Sequence, residues 1–140
     1  MPEQTRATLV WTSGMEFVAR PGSGKTVTVD SPSRPDQAGP GPMELLLMGI
    51  AGCTAMDIVS ILGKMKQPLA GFEVEIKGDR AEHHPKRLTA LSITYRVRGR
   101  GVARDEVERA VELSHSTYCS ALASLRPDCP VTTSIDVTED

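Results

Sequence analysis

The sequence lacks the features that direct a chain to nucleic acid, to secretion or into a membrane. Its 16 lysines and arginines are balanced by 18 acidic residues, so no positive surplus indicates binding to nucleic acid or to an anionic membrane. The opening MPEQTRATLVW has no basic segment followed by an apolar run, which a secretory signal would have. The longest uncharged apolar stretch, Leu45 to Met56, ends at Asp57 and is too short to cross a bilayer. We therefore expect a cytoplasmic protein.

Cysteine is also scarce, with three residues at Cys53, Cys119 and Cys129. The cytoplasm keeps thiols reduced, so we expect them to be free or transiently oxidised rather than structurally bridged. Because three is an odd number, at least one thiol has no partner within the chain. The 140 residues, of which 39% are hydrophobic, suffice for a core without disulfides, and we expect a single domain over residues 1–140.

Alternating apolar and polar residues predict short strands, and two longer segments with helical periodicity predict helices. The order along the chain is β-β-β-α-β-β-α-β, with strands grouped rather than alternating with helices. This grouping indicates an α+β fold in which helices pack on a mainly antiparallel sheet. The strands are expected at residues 6–11, 15–20, 25–30, 72–77, 91–98 and 131–137, and the helices at 43–66 and 102–126.

The first predicted helix is apolar on nearly every side. Glu44, Thr54, Asp57 and Ser60 are its only clearly polar residues before Gly63. Such a helix must be covered all round, and one small sheet covers only one face. We therefore predict an obligate homodimer in which the second subunit supplies the remaining cover. The alternative is that the second helix completes the cover within one chain.

One segment matches a phosphate-binding loop. The residues ARPGSGKT, at 19–26, fit a relaxed form of that motif, with Ala19 where the stricter form has glycine. A working loop needs a following helix, because the N–H groups of the helix hold the phosphate. Here Thr26 leads into Val-Thr-Val, which is typical of a strand, so we interpret the segment as a β-turn.

Cys53 lies inside the first predicted helix, and Gly49 and Gly52 before it leave room for another backbone or for a substrate. Asp57 is four residues further on and therefore shares the same helix face. Its carboxylate would raise the thiol pKa unless a cation neutralises it. From these residues alone, Cys53 is either a reactive thiol or a packed, inert one.

Cys119 lies inside the second predicted helix, with His115 one turn earlier on the same face. The two residues form either a Cys–His pair or a core thiol beside a partly exposed histidine. Because the two helices must pack together, Cys53 and Cys119 can form a redox couple. Cys129, in a loop between prolines, is expected to be accessible to solvent. A zinc site made of Cys53, Cys119, His115 and Cys129 is a further alternative.

The segment PMELLLMGIAGC at 42–53, the following Asp57-Ile-Val, and the later Tyr118-Cys119-Ser120 resemble the OsmC/Ohr family. This family comprises osmotically inducible protein C and organic hydroperoxide resistance proteins, and the likeness is greatest to its YhfA-like branch. The resemblance covers nearly the whole chain. It implies an intertwined homodimer with two long central helices, sheets wrapped around them and active sites at the subunit interface.

In the peroxidases of that family, the first cysteine attacks the peroxide O–O bond and becomes a sulfenic acid. The second cysteine condenses with it to a disulfide, and an external dithiol restores both. By resemblance, Cys53 is the peroxidatic cysteine, Cys119 the resolving cysteine and Glu44 a further catalytic residue. The resemblance implies no cofactor and no metal.

Two departures from the family pattern concern the groups that activate the thiol. The family glutamate precedes the first cysteine by ten residues, where this chain has Met43. Glu44 follows one place later, and on a straight helix it lies roughly opposite Cys53. It can serve Cys53 only if the helix bends or if it acts across the dimer. The family arginine comes from an N-terminal loop, for which Arg34 and Arg20 are the candidates here.

The sequence therefore predicts a thiol-dependent peroxidase that reduces organic hydroperoxides in defence against oxidative stress. Its expected partners are a second copy of the chain, the hydroperoxide and a dithiol reductant. The alternative is a non-catalytic dimeric module of the same fold that binds a small molecule or senses redox state.

Overall fold

The computed structural model describes residues 3–140, which contain two three-stranded sheets and few helices. This confirms the α+β class. The chain divides into two compact units, the first ending at Leu46 and the second beginning at Leu47. The elements are β1 Ala7–Ser13, β2 Glu16–Pro21, β3 Val27–Val29, α1 Pro42–Lys64, β4 Gly71–Arg80, β5 Leu88–Arg98, α2 Arg104–Leu113, a π-helical turn Ser114–Tyr118, α3 Ser120–Ala123 and β6 Val131–Thr138.

The first unit is built on an antiparallel meander in which β2 lies between β1 and β3. The resemblance to a phosphate-binding loop falls on the turn between β2 and β3. There the Gly24 N–H donates to the Pro21 carbonyl at 2.9 Å, and Gly24 has a φ of +82°, which glycine adopts without strain. No helix follows this turn before β3, so its interpretation as a β-turn is confirmed.

The second unit has β5 at the centre of its sheet, antiparallel to β4 and parallel to β6. Side chains on one face of β5 are buried at every second residue, as the alternation in the sequence predicts. They pack against buried residues of α1 and α2 to form the core. This core contains Ile58, Leu62, Ile93, Tyr95, Val97, Val102, Val107, Ala110 and Val111.

One face of α1 is buried and another is open. The buried residues Ile50, Thr54, Ile58 and Leu62 recur every four positions and so form a single stripe. By length and composition alone, α1 is long and apolar enough to span a membrane, a test that core helices of soluble proteins also pass. Only 22% of its apolar window is buried within this chain, so much of the helix surface is open in the single chain.

The second predicted helix is not continuous, which corrects the expectation of one helix over 102–126. It consists of α2, the π-helical turn and the short α3. The turn closes where the Cys119 N–H donates to the Ser114 carbonyl at 2.7 Å. The hydroxyls of this segment bond to other side chains, Ser114 to Asp57 and Thr54 and Ser116 to Thr117. A π turn holds an extra residue, and this changes the direction of the side chains that follow it.

Candidate active site

The sulfur atoms of Cys53 and Cys119 meet within one chain. Together with a carboxylate oxygen of Asp57, they form a cluster whose atoms all lie within 4.8 Å of one another. Cys53 and Asp57 come from successive turns of α1, and Cys119 follows the π-helical turn. Cys119 is 4% exposed and Cys53 is half-buried, so a molecule from solvent reaches the cluster from the Cys53 side. All three cysteines are free thiols.

The backbone at Cys119 is extended, with φ −75° and ψ 99°, and the residue caps the start of α3. Its sulfur accepts a hydrogen bond from the Leu122 N–H at 3.5 Å. This corrects the prediction that Cys119 lies inside a helix. The interruption matters because the first N–H groups of α3 have no carbonyl partner within the helix, so the Leu122 N–H can donate to the Cys119 sulfur. In the middle of a helix, that N–H would bond to a backbone carbonyl instead.

A chain of buried hydrogen bonds leads away from the cluster. The Ser114 hydroxyl donates to Asp57 Oδ2 at 2.9 Å, and Ser114 Oγ and Thr54 Oγ1 lie 2.9 Å apart. Thr54 Oγ1 is 2.9 Å from Tyr95 Oη, which is 2.6 Å from His115 Nε2. Within residues 3–140, no buried side-chain nitrogen or oxygen lacks a partner. This network fixes the Asp57 carboxylate beside the two thiols.

Sequence reasoning missed Tyr95, Thr54 and Ser114 as parts of the site. Tyr95 was expected only as an inward residue of a strand, yet a buried tyrosine hydroxyl needs a hydrogen-bond partner. Thr54 directly follows Cys53 and lies on the buried stripe of an apolar helix. A hydroxyl at such a position needs a buried hydrogen-bond partner, which could have indicated a polar group next to Cys53. His115 bonds to Tyr95 and, among residues 3–140, is not a member of the cluster around the two sulfurs.

Burial controls the protonation of the groups around the site. It raises the pKa of the Cys119 thiol, and the neighbouring Cys53 adds to this effect, whereas the Leu122 N–H acts in the opposite direction. Burial also lowers the pKa of His115, which favours its neutral form. The Cys119 thiol is therefore protonated at neutral pH unless a positive charge approaches it.

The phenol of Tyr95 should ionise at a higher pH than an exposed tyrosine does. Burial raises the pKa of Tyr95 from 10.0 to about 12. Because the folded-state pKa exceeds the unfolded value, the contribution of this phenol to the free energy of unfolding is fully present below pH 10 and is lost as the pH rises towards 12. A Tyr118→Phe variant retains Tyr95 as its only tyrosine. Its ultraviolet titration, followed together with circular dichroism, tests the expectation, which fails if the phenol ionises near pH 10 in folded protein.

The other residues predicted for the site have contacts of their own. In the first unit, Glu44 Oε1 accepts hydrogen bonds from the Gly41 N–H at 2.9 Å and from Gln37 Nε2 at 3.4 Å, which secures the start of α1. Such contacts satisfy donors at a helix N-terminus. Its catalytic role stays a prediction.

The two candidate arginines also lie in the first unit. Arg34 lies 3.6 Å from Asp30 and 3.5 Å from Asp36, so its guanidinium already has two carboxylate partners. Arg20 is exposed on β2. The activating role predicted for one of these arginines stays a prediction.

Cys129 is buried, with 8% of its surface exposed, which corrects the expectation of a solvent-accessible thiol. Its N–H donates to the Arg126 carbonyl at 3.1 Å, closing a turn between the two flanking prolines. The turn folds the side chain inward. Cys129 is not a member of the cluster formed by Cys53, Asp57 and Cys119.

An open cavity of about 350 Å³ adjoins the cluster. Asp57 is the one residue of the cluster that lies in its wall. Most of the remaining wall is apolar, with one ammonium group from Lys64. The lining residues are Asp57, Ser60, Ile61, Lys64, Met65, Leu113 and Tyr118.

Comparison with known proteins identifies the family of this chain. The family model described as OsmC-like protein matches residues 34–134. Protein YhfA of Escherichia coli strain K12 is 36% identical over 132 residues, which cover 94% of this chain and 97% of YhfA. A hypothetical protein from Aquifex aeolicus VF5 has a solved structure with a TM-score of 0.89 and 32% identity, covering 99% of both chains. An organic hydroperoxide resistance protein OsmC from Legionella pneumophila has the same fold, with a TM-score of 0.71 and 17% identity over 96% of this chain and 97% of that one. The chain therefore belongs to the OsmC-like protein family.

Proposed function

We propose that this chain is a cytoplasmic thiol-dependent peroxidase that reduces organic hydroperoxides. Membership of the OsmC-like family, and the organic hydroperoxide resistance proteins that share its fold, support a role in redox or peroxide defence. The observation that carries the finer proposal is the distance between the two thiols. The sulfurs of Cys53 and Cys119 lie within 4.8 Å of each other, and the neighbouring Asp57 lines an open cavity.

The proposed reaction begins at Cys53, the more exposed of the two thiols. Its thiolate attacks one oxygen of the O–O bond, and the other oxygen leaves as an alkoxide that takes up a proton to become the alcohol. The sulfur has then given two electrons to the peroxide and carries the hydroxyl of a sulfenic acid. No cofactor enters this step.

Cys119 then attacks the sulfur of the sulfenic acid, and hydroxide leaves and is protonated to water. The product is a Cys53–Cys119 disulfide, which an external dithiol reduces by thiol–disulfide exchange. A short path between the sulfurs is essential because the sulfenic acid must be captured before further peroxide oxidises it irreversibly. The distance of at most 4.8 Å requires only small side-chain movements.

Asp57 is the residue best placed to move protons during this cycle. Its carboxylate oxygen lies within 4.8 Å of both sulfurs, and its other contact, the Ser114 hydroxyl, fixes its orientation. A carboxylate this close can accept the thiol proton, which water in the cavity then carries away. Glu44, carried over by resemblance, is proposed to assist from the start of α1.

The walls of the cavity favour an organic peroxide over hydrogen peroxide. Ile61, Met65 and Leu113 present apolar surface next to Asp57, and Tyr118 contributes a largely exposed ring. Apolar walls bind the hydrocarbon part of a substrate because its transfer from water is favourable. Hydrogen peroxide has no such part.

We further propose that the functional unit is a homodimer in which a second copy covers α1. Gly49, Gly52, Met56, Val59 and Gly63 recur at alternating spacings of three and four, as helix-packing seams do. Met56 is 76% exposed and Val59 48% exposed. A Cβ added at any of the three glycines would meet no atom within 4 Å, so this face has room for another helix.

The direct test of the peroxidase proposal is the chemistry of the two thiols. One equivalent of cumene hydroperoxide should produce a Cys53–Cys119 disulfide within seconds, identified by mass spectrometry of non-reduced peptides. Under excess dithiol, the protein should consume the peroxide through many turnovers. Thiols that stay reduced for hours would overturn the proposal.

One observation favours a redox-sensing module as the second candidate. Burial raises the pKa of Cys119, and Asp57 has no ion-pair partner among residues 3–140 that would offset its negative charge. Such surroundings slow thiol oxidation. A disulfide that forms over minutes to hours, with no sustained turnover, would support this candidate over the peroxidase.

A further inference from the structure

Three metal-binding groups meet at the thiol cluster. Cys53, Cys119 and Asp57 all become anions on deprotonation, and their ligand atoms lie within 4.8 Å of one another. Among residues 3–140, Asp57 makes no ion pair, although Lys64 lines the same cavity. Three such groups either hold their protons or share a cation, because like charges this close repel strongly.

Hydrogen bonds from neighbouring groups orient two of the three ligand side chains, as is usual for metal ligands. The Ser114 hydroxyl donates to Asp57 Oδ2 at 2.9 Å, which leaves the other carboxylate oxygen free to bind. The Leu122 N–H donates to the Cys119 sulfur at 3.5 Å, a contact that stabilises a thiolate. Ser114 is itself fixed by Thr54, so the support extends into the core.

We propose that the reduced protein binds one zinc ion per chain through Cys53, Asp57 and Cys119. Zinc takes four ligands in a tetrahedron, with bonds of about 2.3 Å to sulfur and about 2.0–2.2 Å to oxygen. Two thiolates on one zinc lie about 3.8 Å apart by that geometry, so side chains within 4.8 Å need only small rotations. The donor set selects zinc over magnesium and calcium because thiolates are soft ligands.

The three protein groups would leave one position of a tetrahedral zinc unfilled, and the open cavity lined by Asp57 can supply water or another small ligand. Three protein ligands with an open position are typical of exchangeable or catalytic zinc rather than of structural zinc. The site therefore binds a metal that it can also lose. This differs from the zinc site considered from the sequence, which used His115 and Cys129 and not Asp57.

The consequence for activity depends on the proposed peroxidase function. Zinc draws electron density from both thiolates, so the metal-bound form would attack peroxide more slowly than the free thiolates. When peroxide oxidises the pair, two thiolates give up two electrons and become a disulfide, while the peroxide and two protons become an alcohol and water. The zinc loses two of its three protein ligands and is released.

The test begins with zinc binding by the reduced protein in the absence of peroxide. Competition with a zinc-binding dye should give a stoichiometry of one ion per chain, with proton release on binding. Cobalt should give a thiolate-to-metal charge-transfer band in the near ultraviolet. Cys53→Ser and Cys119→Ser should abolish tight binding, whereas Ser114→Ala should weaken it about ten- to a hundredfold. Cys129→Ser is the matched control and should leave the affinity unchanged.

Absence of stoichiometric binding by wild type, or full affinity in Cys53→Ser, would overturn the zinc site. Loss of binding in Cys129→Ser would do the same. Wild type whose thiols have been oxidised to the disulfide should not bind zinc, a readout that does not rely on a variant that must fold. Peroxidase turnover measured with a strong chelator tests the proposed function separately. If the protein binds zinc but does not turn over peroxide, the zinc site is supported and only the proposed release of zinc by peroxide is refuted.

Discussion

Replacing Cys53 with serine should lower the rate of organic hydroperoxide consumption by on the order of a thousandfold or more. The hydroxyl of serine is far less nucleophilic than a thiol and cannot form a sulfenic acid, so the first step loses its reactive atom. The substitution changes one atom at a half-buried position, and the fold should be retained. The measurement is peroxide consumption with cumene hydroperoxide and excess dithiol, with metal removed by a chelator.

Two further variants separate the chemistry from structural effects. Cys129→Ser removes a buried thiol outside the cluster and should retain near wild-type turnover, provided that circular dichroism shows an unchanged fold. Cys119→Ser should still reduce one equivalent of peroxide but leave the sulfenic acid of Cys53 uncaptured, so a dimedone adduct accumulates. Equal turnover by wild type and Cys53→Ser would exclude the proposed mechanism.

Glutamate at Met56 should dissociate the proposed homodimer into monomers. Met56 is 76% exposed in the single chain and lies between Gly52 and Val59 on the open face of α1. Burying one methionine side chain contributes about 1.5–3 kcal/mol, and two-fold symmetry counts each substitution twice. The dimer dissociation constant should therefore rise by about a hundredfold to ten-thousandfold. The cost of burying two carboxylates adds to this.

Sedimentation velocity over a range of concentrations measures this change directly. The control is Ala123→Glu, which introduces the same charge at an exposed position on α3, outside the proposed packing seam of α1. It should leave the sedimentation coefficient unchanged. A wild-type chain that sediments as a monomer, or a Met56→Glu variant that stays dimeric, would contradict the proposed packing of α1.

Disruption of the dimer should also expose the first unit to solvent in the proposed assembly. Every residue of β1 is exposed in the single chain, and Leu9 and Trp11 are 54% and 63% exposed. Exposed apolar groups on this scale mark interaction surfaces. A single Trp11 makes the change measurable, since its fluorescence emission should shift to the red in Met56→Glu if β1 contacts the second copy.

The sequence alone determined the elements that depend on local periodicity. Strand β5 alternates Leu91, Ile93, Tyr95 and Val97 with polar residues, and a period of two allows only one face of a sheet to be apolar. The length and composition of α1 were equally clear because an uninterrupted apolar segment after a proline has few alternatives. The motifs around Cys53 and Cys119, taken together with the order of the elements, predicted the family.

The surroundings of the thiols were decided only by the tertiary structure. Thr54 meets Tyr95 across 41 positions and Ser114 across 60, and no local pattern encodes such pairs. The interruption at Cys119 was missed because the segment around it fits a regular helix in pattern. Ser114, the first residue of the π-helical turn, bonds to Asp57 and Thr54 of α1, and contacts of this kind cannot be read from the local pattern. Periodicity fixes which face of an element is buried, but the direction of one sulfur depends on every atom packed around it.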